Sequence, residues 1–166
     1  MRKLDLKDNK TADVTAPLIL RHFYPEDLAE IKRLENLAFT VGPYSRRMLR
    51  RMFNSPGAFN VIAEEEKRIM GYAVAMPMEQ GVYDIESIAV HPDSQKKGIG
   101  GILLFEIEKQ MKQRGGKISI LEVRDKNENA IKFYKEHGYE ITGHLDNYYS
   151  LKHNESRGAY RMAKNL

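Results

Sequence analysis

The feature that most constrains this chain is a glycine-rich turn between an apolar stretch and a helical repeat. The apolar stretch, residues 87–90, is followed by His91-Pro92 and then by Gln95-Lys96-Lys97-Gly98-Ile99-Gly100-Gly101. Apolar residues then recur with helical spacing at Ile99, Leu103, Leu104, Ile107 and Met111. The pattern predicts a strand that passes directly into a helix, with the glycines at the first helical turn.

Such a turn has the chemistry of a phosphate site. The first turn of a helix has unpaired backbone N–H groups and a positive dipole end, and both favour anions. Gly98, Gly100 and Gly101 lack the side chains that would block a phosphate, while Lys96 and Lys97 add positive charge. The turn therefore predicts a pyrophosphate cradle. Its spacing matches neither a P-loop nor a dinucleotide fingerprint, because the Gly-Lys-Ser/Thr ending and the third glycine are missing.

The turn resembles the acyl-CoA loop of the GCN5-related N-acetyltransferases, written Gln/Arg-x-x-Gly-x-Gly/Ala. The resemblance implies acetyl-CoA as the cofactor. It also implies that the cofactor is bound by the turn and, through backbone groups, by the preceding strand end. The residues concerned are Ile88, Ala89, Val90, Gln95, Lys96, Lys97, Gly98, Ile99, Gly100 and Gly101.

Composition limits the possible reaction mechanisms and cellular locations. The 166 residues are sufficient for one domain, and a net charge of +4 favours anionic ligands. No apolar run reaches the length of a membrane span and the polar start has no signal-peptide core, so we expect a cytoplasmic protein. The chain has no cysteine, which excludes a cysteine acyl-enzyme and makes direct transfer in a ternary complex the expected mechanism.

The order of the predicted elements gives the fold class. Residues 1–15 are polar without periodicity and are predicted to be a flexible tail, with one domain over 16–166. Helices are predicted at 25–38, 45–53, 98–114 and 127–137, with apolar stripes on the first two at Leu28, Ile31, Leu34 and Ala38 and at Met48, Leu49, Met52 and Phe53. Strands are predicted at 17–23, 58–63, 69–76, 83–90, 117–123, 139–145 and 159–164.

Short connections between most of these strands indicate antiparallel pairing, whereas the helix at 98–114 indicates one parallel crossover. The prediction is therefore a mixed α/β fold of the GCN5-related type. Its sheet has seven strands, is mostly antiparallel with one parallel pair, and carries helices on both faces.

A second cluster follows the crossover helix. Leu121-Glu122-Val123-Arg124 precedes Asn127-x-x-Ala130-Ile131-x-x-Tyr134, which places an amide and a phenol on one helical face. A phenol with a pKa of about 10 suits proton donation to a thiolate, although Tyr134 taken alone is more typical of a core residue. The cluster resembles the N-terminal protein acetyltransferase branch that includes RimI-type enzymes. That likeness implies that Asn127 contacts the cofactor, Tyr134 protonates the sulfur, and Glu122 acts as the base or positions a water.

Three carboxylates are candidates for the acceptor side of the site. Glu122 lies in an otherwise apolar strand, where desolvation suits a general base; the alternatives are an ion pair with Arg124 or a position facing water. Asp84 and Glu86 are predicted on the same strand face as Ile88, beside the cofactor. Asp84 therefore shares or replaces the base role of Glu122, and the choice between them stays open. Glu86 is assigned to binding of a cationic amine.

Aromatic and basic residues are candidates for contacts with the acceptor substrate or a partner. The resemblance places Phe39 and Tyr44, with the pair Tyr148 and Tyr149, along a peptide groove, although the pair also fits strand-end aromatics. Arg46, Arg47, Arg50 and Arg51 form either a solvated helix face or a docking surface for an acidic partner or the ribosome. The histidines lack metal-ligand spacing, and we predict no metal.

The expected activity is acetyl transfer from acetyl-CoA to the α-amine of protein N-termini. A small amine such as a polyamine is the alternative acceptor, because the fold and the glycine turn would be the same. A non-catalytic CoA-binding or nucleic-acid-binding module is a further alternative. Specific nucleic-acid binding is not expected, because only Tyr44 and Phe53 accompany the arginines.

Overall fold

The computed structural model describes residues 16–166, so the tail predicted at 1–15 lies outside the described residues. The helices are α1 (Leu28–Ala38), α2 (Arg46–Phe53), α3 (Ile99–Gln113) and α4 (Glu128–Glu136). The strands are β1 (Ile19–Arg21), β2 (Phe59–Glu65), β3 (Arg68–Glu79), β4 (Val82–Val90), β5 (Ile118–Arg124), β6 (Glu140–Leu145) and β7 (Ala159–Asn165). All predicted helices and strands are present, and the first strand is shorter than predicted.

The strands form one seven-stranded sheet in the order β1-β2-β3-β4-β5-β7-β6. Every neighbouring pair is antiparallel except β4 and β5, which are parallel and are connected by α3. A parallel pair needs such a crossover because its strands start at the same end of the sheet. The predicted mixed fold with one parallel pair is therefore confirmed.

Two apolar clusters cover the two faces of the sheet. One packs α3 against the sheet through Leu103, Leu104, Ile107 and Met111, with α4 at its margin. The other packs α1 and α2 against the opposite face through Leu28, Ile31, Leu34, Leu49, Met52 and Phe53. Ser45 caps α2 as expected, since its Oγ accepts a hydrogen bond from Met48 N at 3.2 Å. The placement of Met48 on the buried stripe was wrong: its side chain is 51% exposed.

The parallel pair is short. β4 pairs with β5 only over Val82–Asp84 and Ile118–Ile120, so residues 85–90 of β4 and 121–124 of β5 have no partner across this boundary. A bulge explains the separation: Val74 pairs with Ser87 and Ala75 with Ile85, which leaves Glu86 as an extra residue in β4. Bulges bend the strand that carries them. The result is an open strand edge in the middle of the sheet.

Among residues 16–166, no helix is both long enough and apolar enough to cross a bilayer.

Candidate active site

The glycine turn lies at the end of the open β4 edge. Gly98 is the N-cap of α3 and has a left-handed φ of +84°, which glycine adopts without a steric penalty. No side chain caps this helix end, so the first backbone N–H groups keep their capacity to bind an anion. Gln95 Nε2 donates to Val90 O at 3.3 Å, which ties the turn to the strand end. The geometry is that of an anion site beside an unpaired strand.

The Cβ directions at two of the glycines lead towards protein atoms. A Cβ at Gly100 would lie 3.5 Å from the Phe133 ring, and one at Gly101 would lie 3.1 Å from His137 Nε2. Both positions therefore face α4, so these glycines allow α3 and α4 to pack closely. Of the three glycines in the turn, only Gly98 has a Cβ direction that leads into open space, with no atom within 4 Å.

The bulge also changes which face of β4 carries Asp84. Ile85 and Ile88 both pack into the α3 cluster although they are an odd number of residues apart, because Glu86 is the extra residue. Asp84 neighbours Ile85 and faces the other side. The prediction that Asp84 shares a face with Ile88 was therefore wrong. Asp84 lies on the same side of the sheet as Glu122, whose neighbours Leu121 and Val123 pack towards α3.

Glu122 is paired, but not with the residue considered from the sequence. Its Oε1 accepts from Arg161 Nε at 2.7 Å, and Arg161 Nη2 lies 2.7 Å from the same oxygen. Its Oε2 lies 3.4 Å from Tyr148 Oη, and the Glu122 side chain is only 8% exposed. Arg124 makes different contacts: its guanidinium lies 4.0 Å from the centre of the Tyr149 ring, and it donates to Leu151 O at 2.9 Å.

Asp84 is half-buried and has no such partner. Its Oδ1 is inaccessible to solvent and makes no hydrogen bond to any described residue. Burial raises the pKa of Asp84 to about 7; the charges of Glu122 and Glu86 add to the rise, and Arg161 opposes it. Burial, followed by the charge of Glu122, also raises the pKa of Glu86. The site therefore holds one carboxylate that is paired with an arginine and two whose pKa values are raised by burial.

Tyr134 projects from α4 towards the boundary of the α3 cluster. Its ring makes edge contacts with Phe133, at a centroid distance of 5.2 Å, and with Tyr139, at 5.6 Å. Burial raises the pKa of Tyr134 above its usual value, which keeps the phenol protonated and able to donate. Asn127 is the N-cap of α4, and its Oδ1 accepts from Ala130 N at 3.2 Å. The amide and the phenol thus lie at the two ends of one short helix.

Two loops border the carboxylates. The connection between α1 and α2 carries Phe39 and Tyr44, both packed against the α1/α2 cluster. Burial raises the pKa of Tyr44 to about 12, and the charges of Glu86, Glu35, Tyr149 and Asp84 contribute in that order. These contributions place Tyr44 near the acidic group. Tyr148 and Tyr149, in the turn after β6, make an edge contact at a centroid distance of 4.9 Å.

Two residues at this site were not predicted from the sequence. Arg161 becomes relevant only once β5 and β7 are in register, with Glu122 opposite Arg161. Glu35 is 1% exposed and accepts from Tyr44 N at 2.9 Å and from Tyr72 Oη at 2.6 Å, so it anchors the loop before α2. Its position in the repeat Leu28, Ile31, Glu35, Ala38 was the available signal, because that spacing indicates a buried helix face.

Comparison with known proteins agrees with this architecture. Residues 28–139 match the model of the acetyltransferase (GNAT) family. An uncharacterized N-acetyltransferase of Methanocaldococcus jannaschii is 32% identical over 134 residues, covering 80% of this chain and 84% of that protein. The ribosomal protein bS18-alanine N-acetyltransferase of Escherichia coli is 35% identical over 82 residues, covering 48% and 55%. The chain belongs to the GNAT family and is an N-acetyltransferase.

Solved structures of other acetyltransferases have a similar fold. The ribosomal-protein-S18-alanine N-acetyltransferase of Escherichia coli superposes with a TM-score of 0.81 at 24% identity, covering 90% of this chain and 94% of that one. Ard1 of Thermoplasma volcanium gives 0.81 at 24%, covering 90% and 97%. A GNAT acetyltransferase of Elizabethkingia anophelis with acetyl-CoA bound gives 0.73 at 19%, covering 90% and 98%. These likenesses show that the chain shares the fold of these acetyltransferases.

Proposed function

We propose that this enzyme transfers the acetyl group of acetyl-CoA to the α-amine of a protein N-terminus. The observation that carries the proposal is the position of the acidic residues: Asp84 is the last β4 residue paired with β5, and Glu86 lies at the start of the open edge. An ammonium group is attracted to such carboxylates, and Tyr44 borders them from the α1–α2 loop. The Escherichia coli relative, named for acetylating an alanine of ribosomal protein bS18, supports a protein acceptor.

The residues of the glycine turn fit the cofactor. The uncapped start of α3, with Gly98 open to solvent space, suits a pyrophosphate, and Lys96 and Lys97 are exposed beside it. Ile88, Ala89 and Val90 have no strand partner on the side that faces β5, which suits the amides of a pantetheine arm. When bound, acetyl-CoA supplies an acetyl group activated as a thioester.

The side chains around the open edge suit the remaining chemistry. A carboxylate of the acidic group removes a proton from the acceptor ammonium, because only a neutral amine is nucleophilic. Tyr134, kept protonated by burial, donates a proton to the sulfur that leaves. Asn127, at the start of α4, contacts the cofactor. Direct transfer requires no acyl-enzyme, in agreement with the absence of cysteine.

The basic face of α2 extends the substrate side. Arg46, Arg47, Arg50 and Arg51 are all exposed, and no ion pair within the described part of the chain involves them. α2 directly follows Tyr44, so this face lies beside the acceptor loop. It suits an acidic segment of the acceptor protein, or the ribosome, more than a small amine.

A panel of acceptors tests the proposal. Turnover of acetyl-CoA is followed by release of free thiol with short peptides of varied N-termini, the same peptides with a blocked α-amine, lysine-only peptides and polyamines. We expect activity with free N-termini and its loss on blocking. Activity on polyamines alone would transfer the acceptor to the small-amine alternative, which the acidic pair Asp84 and Glu86 also suits. No acetyl transfer to any amine would contradict the proposal.

A further inference from the structure

We infer that Asp84 is the general base of this site, and that Arg161 excludes Glu122 from that role by pairing with it. The inference rests on the proposed acetyl transfer, and it deepens that proposal by choosing between two carboxylates on the same side of the sheet. Its basis is the contrast between their surroundings.

Glu122 is held as an ion pair. Both Arg161 nitrogens lie 2.7 Å from Oε1, and the partners are directly opposite each other across β5 and β7. Arg161 and Tyr148 therefore already donate to the two oxygens of Glu122. The negative charge of Glu122 acts on its neighbours Asp84 and Glu86.

Asp84 has the opposite environment. Its Oδ1 is buried and free of any hydrogen bond to the described residues, so no described protein donor stabilises the charge on this oxygen. It lies at the last residue of the β4–β5 ladder, where the open edge begins. The raised pKa of Asp84, about 7, agrees with this geometry, because a base works best near the operating pH.

Charged and titratable groups face Asp84 from several elements. Those on β4, β5 and β7 are Glu86, Glu122 and Arg161, and those on the bordering loops are Tyr44 and Tyr148. The two carboxylates raise the pKa of Asp84, and Arg161 lowers it. Glu122 thus tunes the base without accepting the proton itself.

Acetyl transfer moves two protons from the acceptor nitrogen and exchanges its bond to hydrogen for a bond to the acetyl carbon. Asp84 takes one proton from the acceptor ammonium, and the nitrogen lone pair forms the bond to the acetyl carbon. The bond from that carbon to sulfur breaks with its electron pair on sulfur, and Tyr134 Oη gives sulfur a proton. The second proton lost by nitrogen returns to Tyr134 through water, and Asp84 releases its proton to solvent.

The pH dependence of kcat/KM in Asp84→Asn and Glu122→Gln separates the two candidates. In the wild type, kcat/KM should fall as the pH decreases below about 7, the pKa of Asp84; this fall is the acidic limb of the profile. Asp84→Asn should lose that limb and about 10²- to 10⁴-fold of kcat/KM, with acetyl-CoA affinity retained in calorimetry. Glu122→Gln should keep the limb at lower pH, because a negative charge near Asp84 has been removed. Arg161→Gln should move it to higher pH.

Loss of the limb in Glu122→Gln, with its retention in Asp84→Asn, would overturn the inference. The test uses any amine on which the wild type is active, so a lysine or polyamine acceptor would refute the proposed substrate and leave the choice of base measurable. If Asp84→Asn fails to fold, the Glu122→Gln profile alone decides, since a limb that disappears there identifies Glu122 as the base.

Discussion

Replacing Tyr72 with phenylalanine tests the buried network that fixes the acceptor loop. The Tyr72 side chain is fully buried, and its hydroxyl donates to Glu35 Oε2 at 2.6 Å and lies 3.1 Å from Ser87 Oγ. Glu35 in turn accepts the backbone N–H of Tyr44. Tyr72→Phe removes one of these donors while nearly preserving the shape of the core.

The expected destabilisation follows from the charge of the acceptor. A hydrogen bond to a charged group contributes about 1.5–3 kcal/mol, so we expect the free energy of unfolding to fall by about 2 kcal/mol. For a chain of this size, that corresponds to a decrease in Tm of roughly 4–8 °C.

The effect should depend on pH. Burial raises the pKa of Glu35, and the Tyr72 hydrogen bond opposes that rise, so the substitution raises the pKa further. Stability due to a raised carboxyl pKa is complete at low pH and is lost as the pH rises through the folded-state value. The variant therefore loses more stability than the wild type on going from about pH 5 to about pH 8.

Urea unfolding at those two pH values measures the difference. Tyr83→Phe is the matched control, because its hydroxyl donates to Arg114 O at 3.0 Å at the surface. We expect the control to lose less than about 1 kcal/mol, equally at both pH values. A Tyr72→Phe deficit that is greater at low pH, or no larger than that of the control, would refute the reasoning.

Two further substitutions, the second with a matched control, have definite expected outcomes. Tyr134→Phe should lower kcat and leave the Kd for acetyl-CoA nearly unchanged, and unaltered turnover would remove Tyr134 as the acid. Gly71→Ala should destabilise the fold by about 1–3 kcal/mol, because its Cβ would lie 2.7 Å from Ala89 O and 2.9 Å from Leu103 Cδ1. Gly143→Ala, with no atom within 4 Å, should change stability by less than about 0.5 kcal/mol in the same urea titration; equal effects would contradict the packing argument.

Local sequence patterns were sufficient to predict the helices and strands of the fold. The apolar spacing of α3 and the cap at Ser45 are properties of neighbouring residues, and the structure reproduces both. The side of β4 that carries Asp84 was not predictable in this way. It depends on the extra residue Glu86, and that bulge is defined only by how β4 pairs with β3.

The partner of Glu122 also depends on how distant strands pair. Sequence proximity suggested Arg124, whereas the antiparallel register of β5 and β7 brings in Arg161, which is 39 residues away. Long-range register is set by the packing of whole strands, so a single sequence does not specify it. Glu35 differs, because its place in the buried repeat of α1 was visible and its partners alone required the structure.

The gap between β4 and β5 divides the sheet into a four-stranded part and a three-stranded part. Three register pairs and the crossover α3 connect these halves. Rotation of one half against the other about this short ladder therefore disturbs few backbone hydrogen bonds. A ligand bound along both open edges contacts both parts of the sheet and restricts their relative rotation. Acetyl-CoA should accordingly raise the unfolding temperature as its concentration increases, in addition to donating the acetyl group.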